Sequence, residues 1–160
     1  MLSITLRLRR TAALLLLTGF TACLSNKKDD PTPTTGMSWT TDGTTQTTTT
    51  LQSQLFQASI SVAGTVPGGN NPPYLSLEFP NAVGTYTFSP TAAASATYVA
   101  STGVAYFAGA TGSGTVTGAG TIVVTSLTAA NVRGTFTFTG INANTGAAKS
   151  ISNGTFNVGL

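Results

Sequence analysis

Residues 37–160 of this 160-residue chain predict a single all-β domain. The expected form is an antiparallel β-sandwich or flattened barrel of about eight to ten strands, the usual range for such folds. Three observations carry this prediction. Thr, Val, Ile, Tyr and Phe recur in short runs that alternate with polar residues at period two. Gly, Asn and Pro separate the runs. No stretch after residue 23 shows helical periodicity bounded by caps.

The elements follow in order. Met37 to Thr41 and Thr44 to Gln46 flank Asp42-Gly43, a hairpin signal, because both central positions of the favoured turn need φ > 0. Thr47 to Gln52 is a low-complexity connector whose state the sequence leaves open. Leu55 to Ala63 alternates as a half-buried strand, with Phe56, Ala58, Ile60 and Val62 on one face. Val66 to Pro73 is a loop rich in Pro, Gly and Asn. Tyr74 to Phe79 points Leu75, Leu77 and Phe79 inward, leaving Tyr74, Ser76 and Glu78 outside. Gly84 to Phe88 places Tyr86 and Phe88 together. Ala96 to Ala100 and Val104 to Ala108 form a hairpin around Ser101-Thr102-Gly103. Ala110 to Gly118 reads as loop or loose edge. Ile122 and Val124 mark the next strand, and Phe136 and Phe138 the one after, with Thr135, Thr137 and Thr139 outward. Ala148 to Val158 closes the domain after a turn at Asn142 to Gly146. Ile151 and Phe156 are out of phase there, and a β-bulge at Asn153-Gly154 would restore it.

Residues 1–22 read as a signal peptide. Arg7, Arg9 and Arg10 precede the apolar run Ala12 to Leu17, then Phe20-Thr21-Ala22-Cys23. The run falls short of the roughly 20 apolar residues a membrane-spanning helix needs and suits a signal-peptide core. Phe20 is too bulky for the −3 position of an ordinary secretory site, and a lipoprotein site accepts a large apolar residue there. The alternative is an incidental thiol in a discarded leader. On the first reading the mature chain begins at Cys23 and carries acyl chains such as palmitate. Stable anchoring takes about two lipid signals, each buried methylene contributing roughly 0.8 kcal/mol. Cys23 is the single cysteine, so no disulfide can form. Residues 23–36 form a tether in which Pro31 to Gly36 is a semi-extended spacer.

Lys27-Lys28-Asp29-Asp30 resembles the charged export signal after the cysteine of surface-exposed Bacteroidota lipoproteins. The resemblance implies an outer-membrane, surface-facing position. The domain repeats Gly-Thr-aromatic at Gly84-Thr85-Tyr86, Gly134-Thr135-Phe136 and Gly154-Thr155-Phe156. Each glycine would let a strand bend as it enters the core. Together with the Met37 to Gly43 hairpin and Asn153 to Val158, these motifs resemble a family of small Bacteroidota lipoproteins whose domain is of unknown function. That family brings no catalytic residues, and this chain is poorer in charge.

The formal charge of +3 misleads, because the three leader arginines supply it. After the leader, Lys27, Lys28, Arg133 and Lys149 balance Asp29, Asp30, Asp42 and Glu78. Scattered charges of both signs make no basic stripe for nucleic acid. The absence of histidine removes Ser-His-Asp and Cys-His catalysis and the commonest metal ligand. Asp42 and Glu78 could pair as glycosidase carboxyls only if about 5–10 Å apart in one cleft. They are also too few for a calcium cage of about six to eight oxygens. The reading is therefore a non-enzymatic envelope protein without cofactor or metal. One form is a glycan- or polymer-binding module using Trp39, Tyr74 and the loop from Pro67 to Pro73. Against it stands the packing of Trp39 at the core edge and of Tyr74 over a loop, since aromatics dominate cores. The alternative function is a structural or accessory subunit that docks an outer-membrane complex, an envelope protein partner, through a sheet edge.

Overall fold

The computed structural model describes residues 34–110 and 118–160. The leader, Cys23, the tether up to residue 33 and the glycine-rich stretch 111–117 lie outside the described residues. Eleven strands run through the described residues, one more than the upper expectation. They are β1 (Gly36–Thr41), β2 (Thr44–Thr48), β3 (Leu51–Leu55), β4 (Ser59–Thr65), β5 (Tyr74–Pro80) and β6 (Gly84–Phe88). Then come β7 (Ser95–Val99), β8 (Ala105–Gly109), β9 (Ala119–Leu127), β10 (Asn131–Ile141) and β11 (Ala148–Gly159).

All paired strands are antiparallel. One sheet runs β6-β9-β10-β11-β1-β2 and the other β8-β7-β5-β4-β3. β10 joins them. Its residues 131–139 pair with β9, and its last residue, Ile141, pairs with Phe107 of β8. At the far side the chain passes from β2 into β3, where Ser53 donates to the Gly159 carbonyl at 2.6 Å. The result is an antiparallel sheet nearly closed into a barrel-like shape, as the alternation predicts.

The period-two pattern is what closes the core. Met37, Trp39, Ile60, Val62, Leu75, Leu77 and Phe79 are all buried, as are Ile122, Val124, Phe136, Phe138, Ile151 and Phe156. Burying each such side chain is worth roughly 1.5–3 kcal/mol. Aromatic contacts bridge the two sheets. Phe79 of β5 meets Phe156 of β11 at 5.6 Å between ring centroids, and Trp39 of β1 stands edge-on to Tyr98 of β7 at 6.4 Å.

The expected hairpin and bulge are both present. Asp42 and Gly43 take φ of 50° and 75°. Asn153 takes φ of 51°, and the register of β11 slips there against both β10 and β1. The connector at 47–52, whose state the sequence leaves open, holds the end of β2 and the start of β3, with Thr49 and Thr50 between them. One expectation needs correction. The strand expected from Leu55 starts instead at Ser59, after a turn closed by Phe56 N–H to the Ser59 carbonyl. Leu55 and Phe56 are consequently 57% and 43% exposed. Alternation misled here, because Phe56 continues the phase of Ile60 and Val62 across a turn.

The Gly-Thr-Phe repeat has a use beyond strand bending. Its second and third copies face each other across β10 and β11: Gly134 opposes Phe156, Thr135 opposes Thr155, and Phe136 opposes Gly154. Each ring thus covers the other strand's glycine. A Cβ on Gly134 would lie 2.7 Å from Cζ of Phe156, and one on Gly154 would run into the Phe136 ring. With both rings inside, Thr135 and Thr155 stand directly opposite each other on the outer face.

Candidate functional site

The outer face of the six-stranded sheet is built from those outward threonines. Cross-strand register makes one row of Thr85, Val123, Thr135, Thr155, Ser38 and Thr47. A second row runs Thr87, Thr121, Thr137, Ser152, Thr40 and Thr45, with the bulge lying between Thr137 and Ser152. Every position but Val123 carries a hydroxyl. Strand geometry sets the array at about 4.8 Å across strands and about 6.7 Å along them. Neighbouring hydroxyls bond to each other, Ser38 to Thr155 at 2.8 Å and Thr40 to Thr45 at 3.1 Å. Each threonine also presents a methyl, so the surface is both hydrogen-bonding and apolar without being charged.

This face is grooved. A depression of about 640 Å³ is lined by Ser38, Thr47, Arg133, Thr135, Thr155 and Asn157 and, beyond the hydroxyl rows, by Thr34, Thr35, Met37, Pro67 and Phe156. A second, of about 350 Å³, adjoins it over Thr121, Val123, Thr137 and Asn153, and the two share Thr135 and Thr155. Strand-to-strand twist of roughly 20–25° accumulates across six strands. A twisted, grooved array suits a pliable chain molecule better than a planar crystal lattice.

The domain's few charges are mostly committed elsewhere. Lys149 of β11 holds Asp42 with Nζ at 2.8 Å from Oδ2 and 3.1 Å from Oδ1, and lies 5.7 Å from the Tyr106 ring centroid. The Asp42 hydrogen bond raises the Lys149 pKa above its ordinary value. Burial raises that of Tyr98, which stacks on Tyr106 at 6.2 Å. Glu78 accepts a hydrogen bond from the Ser59 hydroxyl at 3.1 Å on the outer face of the other sheet. Arg133 is the exception. Its guanidinium has no ion-pair or hydrogen-bond partner among the described residues, and it lines the larger groove.

The sequence-predicted site is not assembled. Trp39 is 0% exposed, so its ring cannot stack on a sugar; that expectation is corrected in favour of core packing. Its Nε1 has no hydrogen-bond partner among the described residues. Tyr74 is half-buried and faces out from β5, beside Gln52, Gln54, Ser61 and Ala63 in a depression of about 460 Å³ on the other sheet. Asp42 sits in the β1–β2 turn, paired with Lys149, and Glu78 lies on β5, bonded to Ser59. Among the described residues no group of three or more His, Cys, Asp or Glu could hold a metal ion. Cys23 lies outside the described residues. The hydroxyl rows are the part that sequence reasoning missed. Their outward threonines are visible strand by strand, but the order β6-β9-β10-β11-β1-β2 that aligns them is not.

A model of a domain of unknown function (DUF6252) matches residues 41–158. Neither the curated proteins nor the solved structures contain a match to the chain.

Proposed function

The chain belongs to the DUF6252 family, whose domain is of unknown function, and we propose that it is a non-enzymatic, lipid-anchored envelope protein that binds a glycan chain. The observation that carries this reading is the double row of hydroxyls over six strands, grooved along β10 and β11. Glycans offer many hydroxyls and flat CH faces. Threonine answers both with its hydroxyl and its methyl. Each neutral hydrogen bond contributes only about 0.5–1.5 kcal/mol net, so an extended chain that meets many hydroxyls at once is the fitting ligand.

The test is affinity electrophoresis of the full-length protein, in detergent, through gels containing immobilised polysaccharides. Retardation by at least one polymer is expected. Thr135→Val with Thr155→Val removes two central hydroxyls at nearly constant volume. It should weaken that binding about tenfold with an unchanged unfolding midpoint. Undiminished binding by the double variant would place the site elsewhere.

Anchoring rests on the leader and on Cys23. Acylation of this cysteine in a bacterial envelope would put the domain at the outer membrane, and Lys27 to Asp30 favour its outer surface. Cys23→Ser is expected to move the protein from the membrane to the soluble fraction after cell fractionation. Retention of the variant in the membrane fraction would overturn the lipoprotein reading.

One observation favours a second role, docking of an envelope protein through a sheet edge. Among the described residues β2 pairs only with β1, and its sequence Thr-Thr-Gln-Thr-Thr carries neither charge nor proline to block a further strand.

A further inference from the structure

Building on the glycan-binding reading, we infer that the groove takes a mostly neutral polysaccharide with occasional uronic acids, and that Arg133 receives the carboxylate. Arg133 projects from β10 on the same face as Thr135, in the same groove as Ser38, Thr47 and Thr155. Of the two cations at residues 34–160, Lys149 is neutralised by Asp42 at 2.8 Å, whereas Arg133 has no partner among the described residues. A cation left unpaired amid uncharged hydroxyls is complementary to one anionic group carried on a neutral, hydroxylated chain. The guanidinium fork matches a carboxylate with two parallel hydrogen bonds.

Charge also limits the density of acids on the ligand. Arg133 and Lys149 against Asp42 and Glu78 leave the domain with no net side-chain charge. A polymer acidic at every sugar would call for a basic stripe, and the groove offers one cation. An isolated acid flanked by neutral sugars matches both the guanidinium and the hydroxyl rows beside it.

The experiment compares three polymers with the full-length protein in detergent: glucuronoxylan, the same glucuronoxylan with its carboxyls reduced to alcohols, and phosphorylated dextran. Reduction is expected to cost about tenfold or more in affinity. Arg133→Gln should bind both forms of glucuronoxylan equally weakly, and salt should weaken only the wild-type interaction with the acidic form. Arg133 is exposed, so the variant should keep the wild-type unfolding midpoint. Equal wild-type affinity for the acidic and reduced polymers would overturn this inference and leave the glycan-binding reading standing. So would glucuronoxylan binding unaffected by Arg133→Gln. Preference for phosphorylated dextran would replace the carboxylate by a phosphate. Failure to bind any of the three, while a neutral glycan of another class binds, would also overturn it. Failure with every polysaccharide would remove the function and the inference together.

Discussion

Trp39→Ala is expected to lower the unfolding free energy by about 3–5 kcal/mol, the usual cost of deleting a large buried aromatic. Against a typical total of about 5–15 kcal/mol, that leaves a marginal domain or an unfolded one. The reason is positional. Trp39 is fully buried, alternates with buried Met37 and Thr41 on β1, and stands edge-on to Tyr98 from the opposing sheet. Removing the indole therefore opens a cavity where the two sheets meet. Trp39→Phe should cost less, because it keeps an aromatic ring and removes an indole N–H that has no hydrogen-bond partner among the described residues. Urea unfolding of the three proteins measures the difference. A Trp39→Ala midpoint equal to wild type would contradict the burial. The same reasoning governs binding work. Loss of glycan binding by Trp39→Ala would report a damaged fold and not a lost sugar platform, so Thr135, Thr155 and Arg133 are the informative positions. As the single tryptophan, Trp39 also supplies a fluorescence signal for unfolding.

Local chemistry made much of this fold legible. Asp42-Gly43 specifies a turn whose two central residues both need positive φ, and few other dipeptides do so. The five-residue gap between Ile151 and Phe156 requires a phase correction, and Asn153 provides it. Inward faces of β5, β9 and β10 follow from alternation alone. An error arose where alternation ran through a turn, as at Phe56, and polar repetition at 47–52 left two strand ends undecided. The candidate site was less legible for a physical reason. A sugar platform of aromatics is a compositional idea, and composition does not say which face a residue occupies. Trp39 shares its face with Met37, so packing claims it. The hydroxyl array is a property of register between strands distant in sequence. Thr135, Thr155 and Ser38 become neighbours only because β10, β11 and β1 lie side by side. The groove cation was legible as a residue, but its isolation depends on Lys149 being taken up by Asp42 across more than a hundred residues of chain.

Gly154→Ala should destabilise the domain by at least about 2–3 kcal/mol, although alanine is an ordinary strand residue. Gly154 does not have a positive φ, so backbone conformation does not forbid a side chain there. The obstacle is the Phe136 ring, which occupies the space of the missing Cβ. The effect should therefore depend on that ring. Phe136→Ala alone is expected to cost about 3–5 kcal/mol through cavity formation. Adding Gly154→Ala to it should cost little more, because the new methyl enters space already vacated. The coupling energy of the two substitutions, read from urea midpoints in a double-mutant cycle, is expected to reach about 1–3 kcal/mol. If the double variant proves too unstable to measure, Phe136→Leu serves as the milder background. Gly159→Ala is the control, since its Cβ would lie 3.8 Å from the nearest atom, the Ala130 carbonyl oxygen. It should stay within about 0.5 kcal/mol of wild type. Strictly additive costs for Gly154 and Phe136 would show that the ring does not fill the glycine's place, and the account of the Gly-Thr-Phe pair would fail. Coupling would show that the interlock holds the register that sets Thr135 against Thr155 on the hydroxyl face.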